Sequence, residues 1–238
     1  MTGPHASPGR GSRGLKVLDR YLGVWLVLAL GCMRRKRPLP KTIRRIALVK
    51  TAAIGDSILL VPVINRIAPA FVNVVLTQDW HPAGHASFAS SYPGRKPFET
   101  IRLAYGEQVL WPDHCVQGTT DAALGKAVNV PQAELIVRKG YHRDIDSYSA
   151  FEEADRKTRT GLEGYLKERA IRQVFVTGLA TDFCVAWTAL DARKAGFQSY
   201  VIEDACRGID LNGSLAAAWK HMAQRGVQRI QSTDLELG

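Results

Sequence analysis

Short apolar runs recur along the chain, separated by longer segments with helical spacing. They fall at residues 46–49 (IALV), 72–77 (VNVVLT), 134–138 (ELIVR), 174–177 (VFVT), 199–202 and 227–230. Each is only four to six residues long and rich in Val and Ile, which marks a buried strand rather than a helix. Helical spacing covers residues 57–67, 163–169, 183–195 and 214–225, with Gly196 and Gly226 as stops behind the last two. Residues 78–133 are rich in Gly and Pro and predict mostly loop. Strands that are apolar throughout, alternating with helices, predict an α/β fold. Its core is a doubly wound, mostly parallel six-stranded sheet with helices on both faces. Ligands of such sheets bind beyond the carboxyl ends of the strands. The loops after Thr77, Arg138 and Thr177 therefore converge on one candidate site.

Charge divides the chain unevenly. Residues 1–57 hold 12 Lys and Arg against two acidic residues, the whole of the net charge of +10, while residues 58–238 hold 20 of each sign. The basic segment has no interleaved aromatics for base stacking, so nucleic acid is not an expected partner. Residues 1–14 are rich in Gly, Pro and Ser. The apolar run at 21–32 is about eight residues short of a membrane span. Followed by Arg34, Arg35, Lys36 and Arg37, it suits an interfacial helix on anionic lipid. Residues 1–42 are thus expected to be a disordered or interfacial basic extension, with peripheral membrane contact through residues 15–37. The four cysteines form no CxxC pair, in keeping with a reduced, cytoplasmic protein.

The chemistry lies in the loops. Asp79, His81 and His85 sit within seven residues after a strand, and His114 lies in Trp111-Pro112-Asp113-His114-Cys115. A carboxylate with imidazoles can bind one divalent ion, and mixed N/O donors suit Zn, Fe or Mn. Cys184 follows a strand end at the expected start of a helix. There the dipole favours thiolate, and first-turn N–H groups can hold an oxyanion. Lys139 ends another strand, where its charge can support a neighbouring thiolate.

The segments LTQDWHPAGHASFAS, VLWPDHCVQGT, VRKGYHRDIDSYSAF, VTGLATDFCVAWTALDARKAGF and VIEDACRGID occur in that order. Over about residues 61–230 the chain thereby resembles the nicotinamidases, within the isochorismatase-like cysteine hydrolases. The resemblance implies hydrolysis of nicotinamide to nicotinate and ammonia, a step of NAD salvage, through a thioester on Cys184. It implies that Lys139 supports the thiolate and that the N–H groups of Ala180 and Cys184 form the oxyanion hole, with a cis peptide just before Ala180. Asp79, His81, His85 and His114 would hold the metal, which binds the pyridine nitrogen, and Trp111 would wall the ring. Nicotinamide is the expected small-molecule partner, and a homo-oligomer the expected assembly.

One element of the family pattern is missing. Its first strand ends in an Asp within Asp-x-Gln-x-Asp-Phe, the general base of the reaction, whereas residues 46–49 lead into Lys50. Residues 15–60 instead resemble the start of heptosyltransferase-like glycosyltransferases, with a basic apolar strand, a Gly55-Asp56 turn and an apolar helix. The expected organisation is an extension over 1–42 and a hydrolase domain over 43–238 whose first strand, within 43–60, is foreign or truncated. Amide hydrolysis is expected to be impaired, because a lysine cannot readily cycle as the acid and base. Two alternatives share these residues: a catalytically dead metal- and pyridine-binding homologue, and a fusion carrying a membrane-associated glycosyltransferase fragment.

Overall fold

The computed structural model describes residues 45–50, 54–125 and 127–235, all within the unit spanning residues 39–238. Residues 45–50 and 54–59 are described by their backbone alone. The expected extension over 1–42, its membrane contact and most of the glycosyltransferase-like segment lie outside the described residues. Among the described residues, no helix is long and apolar enough to cross a membrane.

All six strands expected from the apolar runs are present. They are β1 (Arg45–Lys50), β2 (Asn73–Asp79), β5 (Ala133–Lys139), β6 (Gln173–Leu179), β7 (Gln198–Arg207) and β8 (Gln228–Ile230). They form one sheet in the order β5-β2-β1-β6-β7-β8, and every neighbouring pair is parallel. The chain winds outward from β1 in one direction through β2 and β5, then in the other through β6, β7 and β8. The switch point beside β1 is where a doubly wound sheet opens a crevice.

Position in the sheet explains the burial of each strand. Every residue of β6 is buried, and β2 is buried from Val74 onward, as central strands covered on both faces require. At the edge, β5 alternates, and Ile136 is 49% exposed. Alternate residues of the central strands feed two separate cores. Val75, Val174, Val176 and Val201 pack on one face with α2 (Leu162–Glu168), α3 (Ala186–Lys194) and α4 (Ser214–Gln224). Val74, Leu76, Phe175, Tyr200 and Ile202 pack on the other with Leu60, Ile64 and Ile67 of α1 (Ile54–Ile67). This period of two places helices on both faces.

Two features depart from the expected pattern. The stretch over 78–133 contains an antiparallel hairpin, β3 (Thr100–Leu103) and β4 (Gly106–Val109), turned at Ala104 and Tyr105. Its strands are four residues long and mostly half-buried or exposed, so they carry no apolar run to mark them. The helix expected over 183–195 begins instead as a π-helical turn, Thr181–Val185, before α3.

Phe175 is fully buried, stacked on Tyr200 at 4.4 Å between ring centroids and tilted against Phe71 at 5.2 Å. Phe175→Ala should cost about 3–5 kcal/mol, because a ring-sized cavity would be left at the centre of one core. Urea denaturation followed by fluorescence should show the loss, and a change below about 1 kcal/mol would contradict this packing.

Candidate active site

Parallel strands bring their carboxyl ends to one edge of the sheet, and four of them bring polar residues there. Asp79 and Lys139 are directly paired as the last residues of β2 and β5. Leu179 ends β6 and leads through Ala180 into the turn that carries Cys184. Lys50 ends β1 between them, in register with Thr77 on one side and Gly178 on the other.

Lys139 is 1% exposed, and a buried ammonium must be paired to be tolerated. Its Nζ lies 2.5 Å from Asp79 Oδ1, donates to the Ser147 carbonyl at 2.6 Å, and stands 3.5 Å from Cys184 Sγ. One cation thus joins β2, the loop after β5 and the cysteine turn. In that turn the N–H groups of Phe183 and Val185 both donate to the Ala180 carbonyl at 3.1 Å, and the Leu179–Ala180 peptide is cis. Cys206 is also buried, but burial pushes its thiol up to about 12, which keeps it protonated.

The histidines divide into two sets. Ligand atoms of Asp79, His81 and His114 all lie within 4.8 Å of one another. His81 Nδ1 donates to the Gly140 carbonyl at 2.9 Å, and His114 Nδ1 donates to the Pro112 carbonyl at 2.9 Å. Those bonds fix the tautomers and leave Nε2 of each ring as the metal-facing donor. Burial lowers the His81 pKa to about 4 despite the carboxylates of Asp79 and Asp146 nearby, so the ring is neutral at pH 7. Gly140, with φ of +64°, makes the approach feasible, since a Cβ there would lie only 2.7 Å from His81 Nδ1. This donor set fits a divalent ion with mixed N/O preference.

His85 is absent from that set. It groups with His81 and Asp146 in a second cluster, again within 4.8 Å. Its Nδ1 accepts the Ser87 N–H at 3.2 Å, so the proton sits on Nε2, which donates to the Ile145 carbonyl at 3.1 Å. Both ring nitrogens are thereby committed within the protein. Asp146 carries no signal in a local reading of the sequence. It is buried, with Oδ2 accepting from Gln108 at 2.8 Å and Oδ1 from the Ser147 N–H at 2.8 Å.

A cavity of about 220 Å³ joins the two ends of the site, running from His81 and His114 past Trp111 and Phe183 to Cys184 and Ile209. Trp111 and Phe183 meet edge to face at 4.8 Å, and the Trp111 indole N–H donates to the Tyr148 hydroxyl at 2.9 Å. Trp111 lines this cavity. Tyr148 and Phe183 stand inside motifs visible in the sequence, but their place in this aromatic wall depends on contacts between loops far apart in the chain. The cavity suits a flat ring, with a Lewis-acid position at one end and a thiol beside an ammonium at the other.

Comparison with known proteins agrees with this geometry. The isochorismatase domain family model matches residues 49–234, a wider span than the motifs alone mark out. A nicotinamidase of Acinetobacter baylyi is 60% identical over 183 residues, covering 77% of this chain and 86% of that protein. A solved nicotinamidase/pyrazinamidase of Acinetobacter baumanii superposes with a TM-score of 0.80 at 58% identity, covering 82% of this chain and all of that one. A Pyrococcus horikoshii pyrazinamidase solved in complex with zinc superposes with a TM-score of 0.61 at 28% identity, covering 79% of this chain and 99% of that one. With its parallel sheet, its cysteine turn and its family match in accord, the chain belongs to the isochorismatase domain family, as an amidohydrolase of the nicotinamidase type.

Proposed function

We propose that this chain hydrolyses nicotinamide to nicotinate and ammonia through a thioester on Cys184, and that it does so slowly. The observation that carries the proposal is the position of Lys139, 3.5 Å from Cys184 Sγ at the end of a cavity that also holds the Asp79, His81 and His114 set. Cysteine, ammonium and metal-ligand set are three of the parts that the resemblance to this class implies. The 60% identity to a nicotinamidase supports the choice of amide.

Cys184 Sγ attacks the carboxamide carbon, and the Lys139 charge stabilises negative charge at that sulfur. The carbonyl pair moves to oxygen, held by the N–H groups of Ala180 and Cys184. As the carbonyl re-forms and the C–N bond breaks, the nitrogen takes up the proton that the Cys184 thiol gave up and leaves as ammonia. Water then attacks the thioester, releasing nicotinate and restoring the thiol. Asp79, His81 and His114 would hold one divalent ion, and His85 and Asp146 would buttress His81 from behind. Such an ion supplies a Lewis-acidic anchor for the pyridine nitrogen. Trp111 walls the ring. Nothing beyond nicotinamide and the ion is required as a partner, and the setting we infer is cytoplasmic.

Proton transfer is the weak step. The residue ending β1 is Lys50, in register with Thr77 and Gly178, and the family resemblance implies a carboxylate at the end of that strand. General acid–base catalysis contributes about 10²–10⁴-fold. The wild-type kcat/KM for nicotinamide should therefore fall at least about 100-fold below that of an intact relative, and Lys50→Asp should raise it about tenfold or more. Wild-type activity equal to that of a relative, or no gain in Lys50→Asp, would overturn this account of the rate.

Metal analysis of the purified chain should find one divalent ion. His114→Ala should weaken its binding by at least about tenfold, while ring-edge substitutions elsewhere, such as His221→Ala, leave it unchanged. Equal occupancy in His114→Ala would remove His114 from the ligand set.

A further inference from the structure

Asp182 takes no part in the chemistry proposed above, yet it is 7% exposed and stands two residues before Cys184. Its carboxylate reaches from the cysteine turn to the segment between β7 and α4. Oδ1 accepts the Ile209 N–H at 3.0 Å, and Oδ2 accepts the Asp210 N–H at 2.8 Å and the Ser214 hydroxyl at 2.5 Å. That segment is conformationally demanding. Asp210 and Asn212 hold φ of +57° and +53°, in the left-handed region that side chains other than glycine rarely adopt. Gly208 lets it come close, because a Cβ there would lie 2.8 Å from Leu215 Cδ1 and 3.4 Å from Asp182 Oδ1.

Both bridged segments contribute to the cavity. Ala180, Phe183 and Cys184 line it from the turn, and Arg207, Gly208 and Ile209 line it from the segment that Asp182 holds against that turn. Ile209 is 49% exposed and stands at the rim. We propose that Asp182 is a positioning residue that clamps the segment 208–214 onto the nucleophile turn and thereby fixes the width of the ring-binding slot. The backbone donors make the carboxylate necessary. The N–H groups of Ile209 and Asp210 can only donate, and an asparagine offers one acceptor oxygen in place of two. The identity of the ligand used to probe the slot rests on the amide-hydrolase reading above; the clamp itself does not.

Hydrogen exchange of the full-length chain, read by mass spectrometry, tests the clamp without a ligand. Binding of nicotinaldehyde tests its consequence. Cys184 Sγ adds to the aldehyde carbon, the carbonyl pair moves to oxygen, and that oxygen takes the thiol proton, so nothing leaves. In Asp182→Asn the Ile209 and Asp210 amides should exchange at least about tenfold faster while β6 and β2 keep their protection. Aldehyde affinity should fall about tenfold. Ser214→Ala, which removes one donor and keeps the carboxylate, should show the same pattern at about threefold. Unchanged exchange at Ile209 and Asp210 in both variants would overturn the clamp. Faster exchange with unaltered affinity would overturn its role in setting the slot. Should Asp182→Asn fail to fold, Ser214→Ala decides both points by the same readings. If the wild type does not take up the aldehyde, the amide-hydrolase reading fails and the exchange data still decide the clamp.

Discussion

The site depends on one buried cation. Lys139 has almost no contact with solvent, and its ammonium is tolerated because Asp79 and the Ser147 carbonyl surround it. Removing either partner of such a pair costs about 3–5 kcal/mol, because it strands the other charge. The same group stands 3.5 Å from Cys184 Sγ, so the pairing that makes the buried ammonium tolerable also holds positive charge beside that sulfur. Asp79 is shared between this ion pair and the His81–His114 set, which makes the metal end and the sulfur end of the cavity one electrostatic unit. Parallel pairing of β2 with β5 is what sets the carboxylate and the ammonium side by side.

The end of β1 is under a weaker constraint. The strand lies centrally, with hydrogen-bonded neighbours on both sides, and a short apolar run suffices to fill such a slot. Nothing in the packing of a buried parallel strand demands a particular residue at its carboxyl terminus. A chain can therefore keep this strand order whatever residue ends β1, and here that residue is Lys50.

Much of this was legible in the sequence, and what escaped has a common cause. The six strands announce themselves because each is apolar over its whole length. Cys184, Lys139, Asp79, His81, His114 and Trp111 stand inside motifs with chemical meaning. The hairpin at Thr100–Val109 escapes because its strands are short and face solvent. His85 looks equivalent to His81 in sequence, but its place beside Asp146 and the Ile145 carbonyl, the latter 60 residues away, depends on a loop meeting it. Asp146, Asp182 and Tyr148 acquire their places only when loops from different strands meet. Local patterns specify elements and their chemistry; they do not specify which side chain of one loop will meet which of another.

The central claim is that Cys184 is the nucleophile of a slow amide hydrolase. Rapid acid quench of the enzyme with excess nicotinamide, followed by mass spectrometry of its cysteine peptides, tests it directly. The account predicts a nicotinoyl thioester on the Cys184 peptide, none on the peptides of Cys115 or Cys206, and slow release of nicotinate. A thioester on another cysteine, or nicotinate released by a Cys184→Ala variant at the wild-type rate, would contradict it.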